Sequence, residues 1–200
     1  MSKVFTSATM SLDGYIAGPD ESGFDLLFRW YGNGDVEIPT ANPEMRFHTS
    51  AASAEHLREF TASTGALVVG RHLYDITNGW GRRHPLDKTV VVLTHRPPED
   101  RPRADENFVF VTDGIEAAVD TAKEIAGDRW VGVNGGTIAR QCLDAGLLDE
   151  VHVDLVPVIL GGGTPFFSSL KDVPVELAGP DSVVEGTGVT HLRYRVVRGG

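Results

Sequence analysis

The chain has little cysteine, little positive charge and no long hydrophobic run, and each shortage excludes a class of protein. Its 200 residues include a single cysteine, Cys142, so an intrachain disulfide framework is excluded. No apolar run approaches the roughly 18 residues that a membrane helix needs. With 18 Lys and Arg against 28 Asp and Glu, the net charge is −10, which argues against nucleic acid or an anionic membrane as a partner. We expect neither.

The motifs of common catalytic sites are absent as well. The sequence has no H-E-x-x-H, C-x-x-C or paired His/carboxylate spacing, so it predicts no metal site. It has no G-x-S-x-G segment for a serine nucleophile, and Cys142 lies in an apolar stretch typical of a buried small hydrophobe. The N-terminus lacks the apolar region of a signal peptide. We therefore expect a cytoplasmic protein whose chemistry comes from a cofactor.

What the sequence does have is a regular alternation of strand and helix patterns. Strands are predicted at 4–10, 66–69, 89–93, 108–111 and 130–133. Helices are predicted at 51–64, at 71–76, from a capping box at 113–116 to Gly127, and from Thr137 to Gly146. Strand-like alternation alone follows, at 151–158, 173–177 and 189–197. We expect one α/β domain over residues 1–200, with a mostly parallel central sheet, flanking helices and antiparallel C-terminal strands.

Two aromatic segments are candidates for contact with a substrate. The stretch 19–48 has no clear pattern but much aromatic mass, which favours a lid or pocket wall around Trp30 over a solvated linker. Trp80 stands between two glycines and either stacks on a flat ring or covers the core, and the same two alternatives hold for Trp30. Arg82 and Arg83 follow it, and they either hold a substrate phosphate or form a solvated basic loop. These four residues are the candidate substrate contacts.

Glycine and basic residues collect where the predicted strands end, the edge at which open α/β sheets bind ligands. A Gly-Gly-Thr turn at 135–137 opens a helix, whose N–H groups and dipole favour an anion, although a tight turn without a ligand has the same sequence. Two basic segments, 70–72 and 94–96, follow other strands and suit a phosphate-rich cofactor. Asp13, after the first strand, either acts on a polar substrate or makes an Asx-turn.

Four segments of the chain carry a resemblance to a known family. The segment 11–17 reads Ser-Leu-Asp-Gly-Tyr-Ile-Ala, 70–74 reads Gly-Arg-His-Leu-Tyr, and 134–137 reads Asn-Gly-Gly-Thr. The fourth, 146–163, begins Gly-Leu-Leu-Asp-Glu and ends Gly-Gly-Gly. In this order they resemble the three-layer dihydrofolate-reductase-like fold and, more narrowly, the C-terminal reductase domain of bifunctional riboflavin-biosynthesis proteins. The resemblance spans nearly the whole chain.

This resemblance implies an NADPH-dependent reductase and assigns contacts to the cofactor. Ile16 and Ala17 are expected beside the nicotinamide. The adenosine-side phosphates are expected at Gly70, Arg71, His72, Leu73, Thr94, His95 and Arg96, and the pyrophosphate at Asn134, Gly135, Gly136 and Thr137. Riboflavin reductases usually carry Glu at the position of Asn134, and their D-x-P-x-L-x-x-R segment is not found here.

The implied substrate is a phosphoribosylamino-pyrimidine whose ribose ring is reduced and opened, as in a 5-amino-6-(5-phosphoribosylamino)uracil reductase. Asp13 is the expected catalytic residue and would orient or protonate this substrate. One alternative is a dihydrofolate or pterin reductase, for which only Asp25 is a candidate acid. Another is a nucleotide-binding protein that does no chemistry. The resemblance also implies a stand-alone chain without a deaminase domain, paired as a homodimer through its C-terminal strands.

Overall fold

The computed structural model describes residues 2–43, 45–99 and 107–198. Within them, the strands are β1 (Val4–Ser11), β2 (Tyr15–Ala17), β3 (Val36–Pro39), β4 (Arg46–Thr49), β5 (Thr64–Gly70), β6 (Thr89–Leu93), β7 (Phe108–Val111), β8 (Trp130–Asn134), β9 (Glu150–Val156), β10 (Thr164–Pro165), β11 (Leu177–Gly186) and β12 (Val189–Val196). The α-helices are α1 (Phe24–Leu27), α2 (Ala51–Ser63), α3 (Arg71–Ile76), α4 (Ile115–Ala126) and α5 (Thr137–Asp144). Short 3-10 helices lie at Pro19–Glu21, Arg29–Gly32 and Asn78–Arg82.

Eight strands form the central sheet, in the order β11-β12-β9-β1-β8-β5-β6-β7. From β9 to β7 neighbouring strands run parallel, whereas β12 is antiparallel to both β9 and β11. The predicted α/β fold, with a mostly parallel sheet and antiparallel C-terminal strands, is therefore confirmed. The parallel strands all end at one edge of the sheet, which is where such folds bind ligands.

The sheet is covered on both faces, which gives three layers. In β6, Val90, Val91 and Val92 are all fully buried, and successive side chains of a strand point to opposite faces. Val91 belongs to the core that α4 and α5 cover, whereas Val90 and Val92 belong to the core on the other face. On that second face α2 also packs, since Phe60 meets the Phe5 ring edge-on at 5.3 Å.

Three local predictions are wrong. The stretch 19–48 is not a continuous irregular lid, because β3 and β4 pair within it as a hairpin. The strand predicted to start at 173 begins at Leu177, after Pro174, which has no N–H to donate to a sheet. The helix α4 is not capped by Asp113, since Gly114 is its N-cap residue and no side chain caps it.

No helix among the described residues is long and apolar enough to cross a membrane.

The antiparallel end of the sheet leaves β11 at an edge, with Val183 53% exposed. Pairing of two copies through these strands stays a prediction, as does the single domain over residues 1–200.

Candidate active site

The edge where the parallel strands end carries most of the predicted cofactor residues. The strand order brings together Asp13 after β1, 134–137 at the end of β8, 70–73 at the end of β5 and 94–96 after β6. Adjacent strands lie about 4.8 Å apart, so the four steps from β1 to β7 cover about 19 Å. The edge is therefore long enough for an extended dinucleotide.

Three helices begin at this edge on a glycine. The N-cap residues are Gly70 for α3, Gly114 for α4 and Gly136 for α5, and no side chain makes a capping hydrogen bond to any of the three. In contrast, α2 begins at Ser50, whose Oγ accepts a 3.3 Å hydrogen bond from the backbone N–H of Ser53. Helix N-termini without side-chain caps favour an anionic partner, because their N–H groups and dipoles both attract negative charge.

A cleft of about 420 Å³ opens between these strand ends and helix starts. It is lined by Arg71, Leu93, Thr94, His95, Arg96, Thr112, Gly114 and Gln141. Four of these residues belong to the predicted cofactor site. Sequence reasoning missed the other four, Leu93, Thr112, Gly114 and Gln141. For Thr112 and Gly114 a signal was available, because β7 is followed by a glycine and a helix just as β5 and β8 are.

Arg71 joins two walls of the cleft. Its Nη1 donates to the carbonyl oxygen of Arg96 at 2.7 Å, and its Nε lies 2.7 and 2.9 Å from the two carboxylate oxygens of Asp75. Thr94 Oγ1 donates to the same Arg96 carbonyl at 2.9 Å and accepts from the Arg96 N–H at 3.2 Å. The segments after β5 and β6 are thus held together before any ligand binds.

The turn Gly135–Gly136 lies directly under Ile16. A Cβ on Gly135 would stand 3.1 Å from Ile16 Cδ1 and 3.3 Å from Ala8 Cβ, so glycine is what allows this approach. Gly136 has a φ of +73° and donates its N–H to the carbonyl of Phe166 at 2.8 Å. Since that donor is already used, anion contacts here fall to the first turn of α5, which starts at Thr137.

Asp13 holds the loop that follows β9. It accepts hydrogen bonds from Ser11 Oγ at 2.6 Å, from the Leu160 N–H at 3.1 Å and from the Gly161 N–H at 2.7 Å. These bonds, that of Ser11 first, lower the pKa of Asp13 to about 2. The carboxylate is therefore ionised at neutral pH and acts as an acceptor. Its geometry suits positioning rather than proton donation.

Several predicted site residues lie elsewhere than on the cleft. His72 is largely exposed and its Nε2 hydrogen-bonds Glu21, which ties α3 to the segment after β2. Leu73 packs against the apolar core on the α3 face. Ala17 is buried in β2, whose partner strand is β10. These three residues shape the surroundings of the cleft, and none of them lines it.

The predicted substrate contacts do not come together. Trp30 is a core residue, 1% exposed, with its Nε1 donating to Thr9 Oγ1 at 3.3 Å, so the prediction that it forms a pocket wall is wrong. Trp80 packs in a separate core cluster, where its ring lies parallel to that of Phe108 at 6.4 Å.

Arg82 and Arg83 lie in an exposed loop beyond Trp80. Arg83 pairs with Asp87 at 2.6 Å, its side chain is 55% exposed, and unlike Arg71 it does not line the cleft. Burial lowers the pKa of the neighbouring His84 to about 4, which leaves this imidazole neutral at neutral pH. The solvated-loop interpretation, one of the two that the sequence left open, fits these observations better than a phosphate site does.

Comparison with known proteins adds independent findings. The RibD C-terminal domain family matches residues 2–189 of the chain. Bacillus subtilis (strain 168) YyaP, an uncharacterised protein, is 24% identical over 204 residues, covering 96% of this chain and 94% of its own. A Shewanella sp. PV-4 protein assigned to riboflavin biosynthesis has a TM-score of 0.70 at 20% identity, with 98% of this chain and 99% of that chain covered.

A larger protein shows the same fold. The diaminohydroxyphosphoribosylaminopyrimidine deaminase/5-amino-6-(5-phosphoribosylamino)uracil reductase of Thermotoga maritima has a TM-score of 0.60 at 16% identity. The match covers 98% of this chain and 57% of that one. Since the family match extends over nearly all of the chain, the resemblance inferred from the four sequence segments is confirmed. This chain belongs to the RibD C-terminal domain family.

Proposed function

We propose that the protein is an NADPH-dependent reductase that transfers a hydride to a heterocyclic or ribosyl-pyrimidine substrate. The charge of the strand-edge cleft carries this proposal. In a chain of net charge −10, the described residues that line the cleft include Arg71 and Arg96 and no carboxylate, and the Asp75 carboxylate that pairs with Arg71 lies outside this lining. A local cationic cleft in an acidic protein favours a small polyphosphate ligand. The Thermotoga relative is itself named as a reductase of a phosphoribosylamino-uracil.

The residues present fit the dinucleotide. Arg71 and Arg96 supply positive charge for its phosphates, including a 2′-phosphate, and Thr94, His95 and Gln141 supply side-chain polar groups. The first turns of α4 and α5 supply backbone N–H groups. When bound, NADPH would supply the hydride, and the protein would supply binding, orientation and exclusion of water.

The substrate would lie at the β1 end of the edge. Ile16 on the Gly135–Gly136 turn offers an apolar surface for a flat ring. Asp13 would act by holding the 160–161 loop and by accepting a hydrogen bond from the substrate, not by donating a proton. Asp13 would therefore be a positioning residue. Of the two roles that the resemblance implied, orienting or protonating the substrate, we propose only the first.

Consumption of NADPH with a small panel of substrates tests the proposal. We expect oxidation of NADPH in the presence of a phosphoribosylamino-pyrimidine and none with dihydrofolate. Oxidation with dihydrofolate alone would support a pterin reductase instead. Binding of NADPH with no turnover of either compound would support a non-catalytic nucleotide-binding protein and would contradict the proposal.

A further inference from the structure

A cluster of two histidines and one aspartate lies on the α2 face of the sheet and has no part in the proposed reaction. His56 is on α2, Asp154 on β9 and His191 on β12, and their ligand atoms all lie within 4.8 Å of one another. We propose that these three residues form a binding site for a divalent transition-metal ion of the Zn²⁺ type.

The first support for a metal is the charge of the cluster. The Asp154 carboxylate is only 13% exposed, and among the described residues its ion-pair partners are the two imidazoles, with no lysine or arginine. A carboxylate that is largely removed from water needs a compensating cation or strong hydrogen bonds. His191 Nδ1 already makes a 2.6 Å hydrogen bond to this carboxylate, and a metal ion bound between the carboxylate and the two imidazoles would add a full positive charge.

The spacing of the ligand atoms is close to what zinc requires. Metal–ligand bonds of about 2.0–2.2 Å in a tetrahedral site place neighbouring ligand atoms about 3.4 Å apart. His56 Nε2 already lies 3.6 Å from Asp154 Oδ1, while His191 Nδ1 is hydrogen-bonded to the same oxygen at 2.6 Å and would have to separate from it. The His56 ring stacks on His191 at 4.0 Å and is 22% exposed, so it can swing outward to admit the ion.

The other ring nitrogen of His191 already has a hydrogen-bond partner that would hold the ring in place. The Nε2 of His191 is hydrogen-bonded to Ser53 Oγ at 2.9 Å, and Ser53 Oγ lies 3.2 Å from Ser50 Oγ. If His191 binds the metal through Nδ1, the ring carries its proton on Nε2 and donates it to Ser53 Oγ. Metal-binding histidines typically donate their second N–H in this way. The Trp30 ring, edge-on to His191 at 5.1 Å, covers the site from one side.

Ser53, His191 and Asp154 also resemble a Ser-His-Asp triad, but the structure does not fit a hydrolytic role. Ser53 is 1% exposed, and a Cβ on Gly186 would lie 2.1 Å from its Oγ, so the hydroxyl is packed against β11. An acyl substrate could not reach it. Three protein ligands and one open position are instead typical of a zinc site that keeps one position for water.

Zinc uptake by the metal-stripped full-length chain tests the proposal. By equilibrium dialysis we expect one equivalent of Zn²⁺ for the wild type and no comparable uptake of Mg²⁺, which prefers oxygen ligands. His56→Ala and Asp154→Asn should each weaken zinc binding by at least the 10- to 100-fold that an outer-shell partner contributes. Ser53→Ala should weaken it within that range.

His48→Ala is the matched control, since His48 is a half-exposed histidine 3.9 Å from Glu37 that belongs to no group of three ligands among the described residues. It should bind zinc as the wild type does. Circular dichroism of each variant checks that the fold is retained, and His56→Ala, at a partly exposed position of α2, keeps the test valid if Asp154→Asn does not fold. Zinc uptake that is the same in wild type and His56→Ala, or that falls equally in His48→Ala, would overturn the proposal.

Discussion

Arg71 Nη1 donates a 2.7 Å hydrogen bond to the main-chain carbonyl of Arg96, which joins the segments that follow β5 and β6. Asp75 holds the same guanidinium through Nε. Two of the three nitrogens of Arg71 are therefore fixed by the protein, and the guanidinium is oriented on the wall of the cleft before a ligand arrives. Because the guanidinium is already ordered, less conformational entropy is lost when a ligand binds.

Arg71→Ala should weaken NADPH far more than NADH. If the guanidinium contacts the 2′-phosphate, its loss removes a charge-assisted hydrogen bond of about 1.5–3 kcal/mol, or roughly 10- to 150-fold in Kd. Isothermal titration with both cofactors measures the difference. Arg58→Ala is the control, because Arg58 forms a comparable exposed pair with Glu55 on α2, away from the cleft. An equal loss for NADPH and NADH would exclude the 2′-phosphate role.

Gly135→Ala should destabilise the site by crowding Ile16. The new Cβ would lie 3.1 Å from Ile16 Cδ1, and overpacking of this kind costs about 1–3 kcal/mol. The double variant Gly135→Ala/Ile16→Ala lacks the Cδ1 atom of Ile16. Its loss of unfolding free energy should therefore be smaller than the sum of the losses of the two single variants. Urea denaturation of the four proteins gives these values. Simple additivity would show that the contact is not the cause.

Asp13→Asn should lower stability at neutral pH but not in acid. The pKa of Asp13 is about 2 in the folded protein against 3.8 for an ordinary aspartate, so its contribution is complete above about pH 4 and is lost as the pH falls toward 2. Melting temperatures of wild type and variant should therefore converge over that interval. A gap that stays constant down to pH 2 would mean that the carboxylate charge does not hold the 160–161 loop.

Cys142 should be unreactive in the folded protein. Its side chain is fully buried, and burial, followed by the nearby Glu116, raises the pKa of the thiol to about 12. The thiolate is the reactive form, so we expect no labelling by a disulfide reagent at neutral pH and one equivalent after unfolding in guanidinium. Stoichiometric labelling of the native protein would contradict this burial.

The sequence predicted the sheet well because its strands are short runs rich in β-branched and aromatic residues. Residues 89–93 and 108–111 are such runs, and they coincide with β6 and β7 as observed. The β3–β4 hairpin was missed because its strands, Val36–Pro39 and Arg46–Thr49, are short and mix polar with apolar residues. The two strands pair with each other, and this pairing is visible only in the folded chain.

The site was predictable where it is built from local segments. Arg71 and the segment 94–96 follow strands directly, and topology places them on one cleft. Trp30 was misplaced because an aromatic residue in the core and one on a pocket wall look the same in sequence, and its partner Thr9 lies in a distant strand. His56, Asp154 and His191 are far apart in the chain, so no spacing motif could bring them together.

Binding of NADPH in the strand-edge cleft should raise the melting temperature of the protein, which can be measured with NADPH, NADH and FMN side by side. A ligand at 100 times its Kd stabilises the folded state by about 2.7 kcal/mol, and each kcal/mol raises Tm by about 2–4 °C in a protein of this size. We predict a rise of about 5–10 °C with NADPH, a smaller rise with NADH and none with FMN. No rise with NADPH, or a larger one with FMN, would contradict the account.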